Sequence, residues 1–338
     1  MPLPAGSFLV DAHQDLAMHC QMHGRDLVDP GDVSCMITLG WLQQAGTRLI
    51  CATLFVEHEH PRDQRLHLLN EQYGIYRDWL KLYPEELRLI TSRRELAELA
   101  TAPDVAGRDG GTVAPIGIVL LMEGLDLLDS PAELALWHAR GLRMAGLTWN
   151  GRNRYASGTF SDQGGLSQAG RQLLSEFEQL GMILDLAHLN DRGITEVLGN
   201  FRAPVCSTHA NARALAGSER NLQDWQIREI AARRGVIGHV LLAPFLVQPW
   251  NTGDPQPALH YSLDHIEYVA QLAGPDCIGI GSDLDGGLTV ENTPQGINDV
   301  RDLRLLREGL AARGWDAERL DAFYGGNWWN FLERSLPL

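Results

Sequence analysis

Eight short apolar runs punctuate this chain, and no other feature constrains its fold as much. They are FLVDAH (8–13), RLICATLFV (48–56), APIGIVLLME (114–123), GLRMAGLTW (141–149), GMILDLAH (181–188), APVCSTHA (203–210), GVIGHVLLA (235–243) and DCIGIGSDLD (276–285). Most are continuous stretches of Val, Ile and Leu, without the alternation of a strand that has one wet face. Several are bounded by Gly or Pro. Strands that read this way are buried on both faces, as in a parallel sheet.

Helical patterns lie between the runs. Leu69, Tyr73, Tyr76 and Leu80 recur on one helical face, and Leu173, Phe177 and Leu180 do the same ahead of a stop at Gly181. In SLDHIEYVAQLAG, Ser262 reads as an N-cap. Eight strands alternating with helices give an α/β fold of the (β/α)8 TIM-barrel type, expected as a single domain over 1–338. A doubly wound open sheet is the alternative. No G-x-G-x-x-G follows an early strand, which argues against its dinucleotide-binding form. The polar stretch VQPWNTGDPQP after the seventh run reads as a lid or wall of a site.

Charge excludes some partners. Lys and Arg number 28 against 43 Asp and Glu, a formal net charge of -15, so neither a nucleic-acid backbone nor an anionic membrane is expected to bind. Cys20, Cys35, Cys51, Cys206 and Cys277 are widely spaced and odd in number, which suggests free thiols in a reducing compartment. The opening MPLPAGSFLVDAH lacks the basic and apolar regions of a signal peptide, and no run approaches the ~20 apolar residues of a membrane helix. A cytoplasmic protein is expected.

In a barrel of this kind, reactive groups gather where the strands finish. Here the run ends carry His13 and Asp15, Glu123, His188, His209 and Asp283. Each follows a stretch that should be buried, where an ionisable group is costly unless it is paired or holds a metal. Any one of them could be structural. All of them at one end of one barrel point to a shared ion. Three imidazoles and several carboxylates without a thiolate suit Zn²⁺ or a similar divalent ion. The set exceeds what one catalytic zinc needs, but two ions about 3.5 Å apart and sharing a carboxylate would use it all. His58 and His60 follow the second run and could face the site. His138 and His239 read as structural, with His239 a satisfied core residue.

With these residues placed, the chain resembles the membrane (renal-type) dipeptidases, a metallopeptidase family of the amidohydrolase superfamily. The resemblance rests on DAHQDL, MEG, GLRMAGLTWN, GMILDLAH, STHANARALAGSERN, IGIGSDLDG and YGGNWWNFLER, in that order along nearly the whole chain. It implies an amidohydrolase-like barrel with two zinc ions bridged by Glu123 and a hydroxide. His13 and Asp15 would bind the first ion, and His188 and His209 the second. Asp283 would relay the proton to the leaving amine. Arg220, with Asn221 nearby, would hold the carboxylate of a small dipeptide, with a C-terminal D-residue tolerated. A homodimer is the family-level expectation.

The sequence departs from the family at Trp149, which stands where characterised members carry a His that contacts the developing oxyanion. Asn150 is another donor at that place. This departure leaves open an amidohydrolase acting on another amide, a lactone or an N-acyl amino acid. A non-catalytic binding protein on the same barrel is the third reading.

Overall fold

The structure is a computed structural model that describes residue 3, residues 6–107 and residues 111–338. Residues 1, 2, 4 and 5 of the N-terminal stretch considered above lie outside the described set. Each of the eight apolar runs contributes one strand of a parallel sheet. The strands are β1 (Leu9–Gln14), β2 (Thr47–Leu54), β3 (Ile116–Met122), β4 (Leu142–Gly146), β5 (Ile183–Asp185), β6 (Val205–Cys206), β7 (Ile237–His239) and β8 (Ile278–Ile280). They pair in the order β7-β8-β1-β2-β3-β4-β5-β6. A parallel bridge between Ser207 and Ile237 joins the two ends, with Gly238 N–H donating to the Ser207 carbonyl at 2.8 Å. A short strand, Leu87–Leu89, flanks β3 outside this ring.

Strand alternation sorts the side chains into two cores. Val10, Ala12, Leu49, Cys51, Val119, Leu121, Met144 and Ile183 pack inside the barrel with Trp328, Trp329 and Phe331. These aromatics belong to the last helix, Asn327–Ser335, which plugs one end of the ring. Leu9, Ile50, Ile118, Leu184, Ile237 and Ile280 face outward into the layer of helices. The inward register of β2, β3 and β5 then runs on to Thr53, Glu123 and Asp185. The barrel interior is therefore apolar through its lower layers and turns polar where the strands finish.

The helices follow the sequence with one correction. Arg62–Leu82 buries Leu69 and Tyr76, and Gln168–Leu180 ends on Gly181 in the left-handed conformation at φ 63°. The helix expected to start at Ser262 instead runs Leu259–Ala273 and is entered from Ala258. Ser262 is fully buried inside it, so packing of the apolar face has overridden the local capping preference. All five cysteines are free. Among the described residues, no helix is long and apolar enough to cross a membrane.

Candidate metal centre

The polar layer at the strand ends brings the six singled-out groups together. His13 is the next-to-last residue of β1, and Asp15 precedes the helix Leu16–His23. Glu123 directly follows β3, with its N–H donating to the Leu54 carbonyl at 3.1 Å. His13 Nε2 lies 3.5 Å from Asp15 Oδ2, 3.7 Å from Glu123 Oε1 and 3.9 Å from Asp283 Oδ1. His188 Nε2 lies 2.8 Å from Glu123 Oε1 and 2.9 Å from His209 Nε2, which is itself 3.5 Å from the same oxygen.

Backbone strain supports this arrangement. His188 and Asp283 are non-glycine residues with φ of 63° and 62°, a conformation that costs about 1–3 kcal/mol and persists only when its surroundings hold it. The His188 carbonyl accepts from Thr148 Oγ1, Thr159 Oγ1 and Thr159 N–H. Asp283 N–H donates to the His13 carbonyl at 3.2 Å. Gly286 sits against the same pair of acids: a Cβ there would strike the carboxylates of Asp283 and Asp15.

Electrostatics call for a cation. Burial pushes the His13 imidazole down, yet Glu123, Asp15 and Asp283 overcome it and raise it to about 10. Burial lifts Glu123 to about 8 against the pull of His13, and lifts Asp283 well above the carboxylate range. Burial also drives His188 and His209 well below the usual imidazole range. His13 Nε2 is buried and makes no hydrogen bond among the described residues. The donor set divides into His13, Asp15, Glu123 and Glu123, His188, His209, the atoms of each lying within 4.8 Å of one another. A divalent ion fits either half, and Glu123 belongs to both.

The surrounding residues divide differently from expectation. Arg220 is buried beside the cluster; it donates to the His209 carbonyl at 3.1 Å and stacks 5.4 Å from the Phe245 ring centre. Its Nε has no partner among the described residues, which leaves a donor for an anion. Asn221 has another task. Its amide donates to the carbonyls of Ala216 and Phe245, and its oxygen accepts from Asn211 N–H, so its hydrogen bonds are spent on the loop. The Asn150 oxygen lies 2.8 Å from His188 Nδ1, which makes Asn150 a holder of that ring.

Trp149 stands against Phe55 at 5.2 Å, His58 at 5.8 Å and His188 at 6.1 Å between ring centres, an aromatic wall beside the cluster. His58 is half-buried, whereas His60 is exposed. His239 is buried as expected but is not satisfied, since neither ring nitrogen has a partner among the described residues. The stretch expected to be a lid begins just past the short helix Ala243–Leu246, whose Phe245 backs Arg220.

Sequence reasoning missed a supporting ring. Asp11 accepts from Ser282 N–H, Ser282 Oγ and Gln14 Nε2, tying β1 to the loop that carries Asp283. Asp285 accepts from buried Arg25 at 2.7 Å and from Met36 and Ile37 N–H. Thr53 donates to Asp15. Asp185 and Thr208 pack under His13 and His209. The available signal was a carboxylate inside an apolar run, as in FLVDAH and GMILDLAH, since a buried acid must find donors.

A family model for membrane dipeptidases, peptidase family M19, matches residues 2–334. Dipeptidase aclJ of Aspergillus oryzae is 31% identical over 262 residues, covering 76% of this chain and 60% of that protein's length. The crystal structure of dipeptidase AC, a metallopeptidase of family M19, aligns over 100% of both chains with TM-score 0.85 and 25% identity. A metallopeptidase from Rhodobacter sphaeroides, liganded with a phosphinate mimic of the dipeptide L-Ala-D-Ala, covers 98% of this chain and 100% of its own. Its TM-score is 0.85 at 24% identity, a likeness of fold.

Proposed function

The chain belongs to the membrane dipeptidase family, metallo-dipeptidases among the hydrolases, and from that premise we propose that it hydrolyses dipeptides at a centre of two zinc ions sharing Glu123. One observation carries the reading. Three imidazole nitrogens and the carboxylates of Asp15, Glu123 and Asp283 converge beside a buried guanidinium that has an unused donor. His13 and Asp15 would hold one ion, His188 and His209 the other. A set of imidazole and carboxylate donors without thiolate suits zinc. When bound, such ions acidify a water and polarise the scissile carbonyl.

The chain's own residues do the rest. Arg220 would hold the substrate's terminal carboxylate, where a planar fork of donors matches a planar anion. Its fixed distance from the cluster would then select short substrates, because a longer peptide places its carboxylate elsewhere. Asp283 faces His13 across the mouth; it would take the proton of the attacking water and deliver it to the leaving amine. With the final carboxylate held and the amide read at the cluster, the last side chain is not interrogated for handedness, so a C-terminal D-residue would be accepted.

Trp149 favours a second reading. The wall that it forms with Phe55 and His58 could receive an apolar acyl group in place of an amino-terminal residue, while Arg220 holds the same carboxylate. The experiment is a screen of zinc-reconstituted protein against L,L and L,D dipeptides, L-Ala-D-Ala among them, beside N-acyl amino acids. Dipeptide turnover with both hands at the C-terminal position is expected. Turnover of N-acyl amino acids alone would move the assignment to the second reading, and zinc uptake without any turnover would favour a binding protein.

A further inference from the structure

Beneath the candidate metal centre, one hydroxyl touches both halves of it. Thr208 Oγ1 lies 2.5 Å from Asp185 Oδ2, 3.0 Å from His13 Nδ1 and 3.0 Å from His209 Nδ1. Thr208 and His13 are fully buried, and Asp185 and His209 nearly so. Asp185, His13 and His209 also come within 4.8 Å of one another, which could be taken for a third cation site. The hydroxyl fills the space among them, so the three groups converge on Thr208.

A hydroxyl has one proton to give and two lone pairs to accept with. Asp185 receives hydrogen bonds on both oxygens: Thr208 N–H at 2.9 Å and Ala187 N–H at 3.0 Å reach Oδ1, and the hydroxyl reaches Oδ2. It acts as an acceptor throughout, so the single hydroxyl proton points to it. The two lone pairs of Oγ1 then remain for His13 and His209, each of which must present Nδ1–H. In the neutral rings that ion binding requires, that choice leaves both Nε2 atoms as bare lone pairs. His13 Nε2 faces Asp15 and Glu123, and His209 Nε2 faces Glu123 and His188. The two rings lie 3.8 Å apart between centres, so a turn of one would disturb the other.

We infer that Thr208, polarised by Asp185, is a positioning residue that sets the tautomer of one imidazole in each half of the centre and so couples the two ion positions. The inference rests on the metal reading given above. Asn150 serves His188 by itself; Thr208 serves two rings with one atom. Its removal is therefore a defect in both positions, which a change of no ligand other than the shared Glu123 would produce. Hydrogen-bond partners of ligand imidazoles are commonly worth about 10–100-fold in metal affinity.

The test measures zinc affinity at both positions by chelator competition on metal-free protein, in wild type, Thr208→Val and Thr208→Ser. Valine keeps the shape and loses the hydroxyl; serine does the reverse. The inference expects Thr208→Val to weaken both positions by about 10–100-fold and Thr208→Ser to stay close to wild type. Weakening at one position only, or at neither, overturns it. So does the opposite ranking, in which serine is worse than valine, because that would assign Thr208 to packing. Should Thr208→Val fail to fold, Asp185→Asn replaces it: the amide can donate to Oγ1 and turn the hydroxyl proton toward an imidazole, and both positions should again weaken. Wild-type protein that takes up no divalent ion would overturn the metal reading as well, whereas an unaffected variant beside a loaded wild type overturns only the role of Thr208.

Discussion

Asp283 combines a left-handed backbone, a buried carboxylate and a place opposite His13. A residue held there against conformational preference is expected to act on something. Asp283→Asn keeps the shape and removes the base. It should leave metal content intact and lower kcat by about 10²–10⁴-fold, the usual worth of a positioned proton carrier; metal analysis beside a turnover assay checks this, and retained kcat would take Asp283 out of the proton path. Gly286 tests the same geometry from outside. Gly286→Ala pushes a methyl into the carboxylates of Asp283 and Asp15. Turnover should fall, and zinc should dissociate more readily from the position that includes Asp15, both read on one preparation. At this scale the sequence was informative where an ionisable group followed an apolar run, as for His13, Glu123 and His188. It was silent on Thr208, because a hydroxyl beside a histidine has no spacing signature and its role depends on two strands that are distant in sequence. Asn221 misled because adjacency to Arg220 says nothing about where an amide spends its hydrogen bonds.

At the level of elements, the eight strands were legible because burial on both faces leaves continuous apolar runs. Their ends were less so: β6 is only Val205–Cys206 within a longer run, since the chain leaves the ladder early to deliver Thr208 and His209. The helix start at Leu259 was hidden because packing of its apolar face outweighed the Ser262 capping signal. Strand β7 carries a defect that pattern could not reveal. His239 lies against helix Leu259–Ala273, 6.5 Å from the His265 ring. His265 is satisfied, accepting from Ala212 N–H and meeting the Leu246 carbonyl; His239 is not. Burial lowers both imidazoles, His239 well below its usual range with His265 adding to the effect. Because the folded pKa lies below the unfolded one, their contribution to stability is present above about pH 6.5 and lost as pH falls below that value. His239→Leu removes one of these groups and two unpaired buried nitrogens. Denaturant titration should find the variant more stable by roughly 1 kcal/mol at neutral pH, with a shallower loss between pH 6.5 and 5. A variant less stable than wild type at both pH values would mean that His239 has a partner after all.

The whole molecule is a ring whose polar layer joins groups far apart in sequence, from His13 on β1 to Asp283 after β8. The barrel's lower layers are apolar and self-sufficient. The upper layer gathers Asp15, Glu123 and Asp283 in a buried space, where His13 within the cluster and Arg220 beside it answer them. Ions bound there would clamp β1, β3, β5 and β6 together and would be released on unfolding, so they would stabilise the fold by mass action. At free zinc about a thousand times the dissociation constant, one site is worth about 4 kcal/mol. For a chain larger than about 250 residues, each kcal/mol moves Tm by about 2 °C or somewhat less, so one site amounts to several degrees and two sites to roughly twice that. Calorimetry should show Tm falling by about 5–15 °C on exhaustive chelation and recovering when zinc is restored, with magnesium a poor substitute because imidazole donors suit zinc better. The lower apolar layers predict what survives: chelated protein should keep its far-UV circular dichroism at 25 °C, because the ring does not need the ions to close. A Tm indifferent to chelation would mean that the acids at the mouth are neutralised by protons and by Arg220 alone, and that the convergence of side chains does not report on an ion.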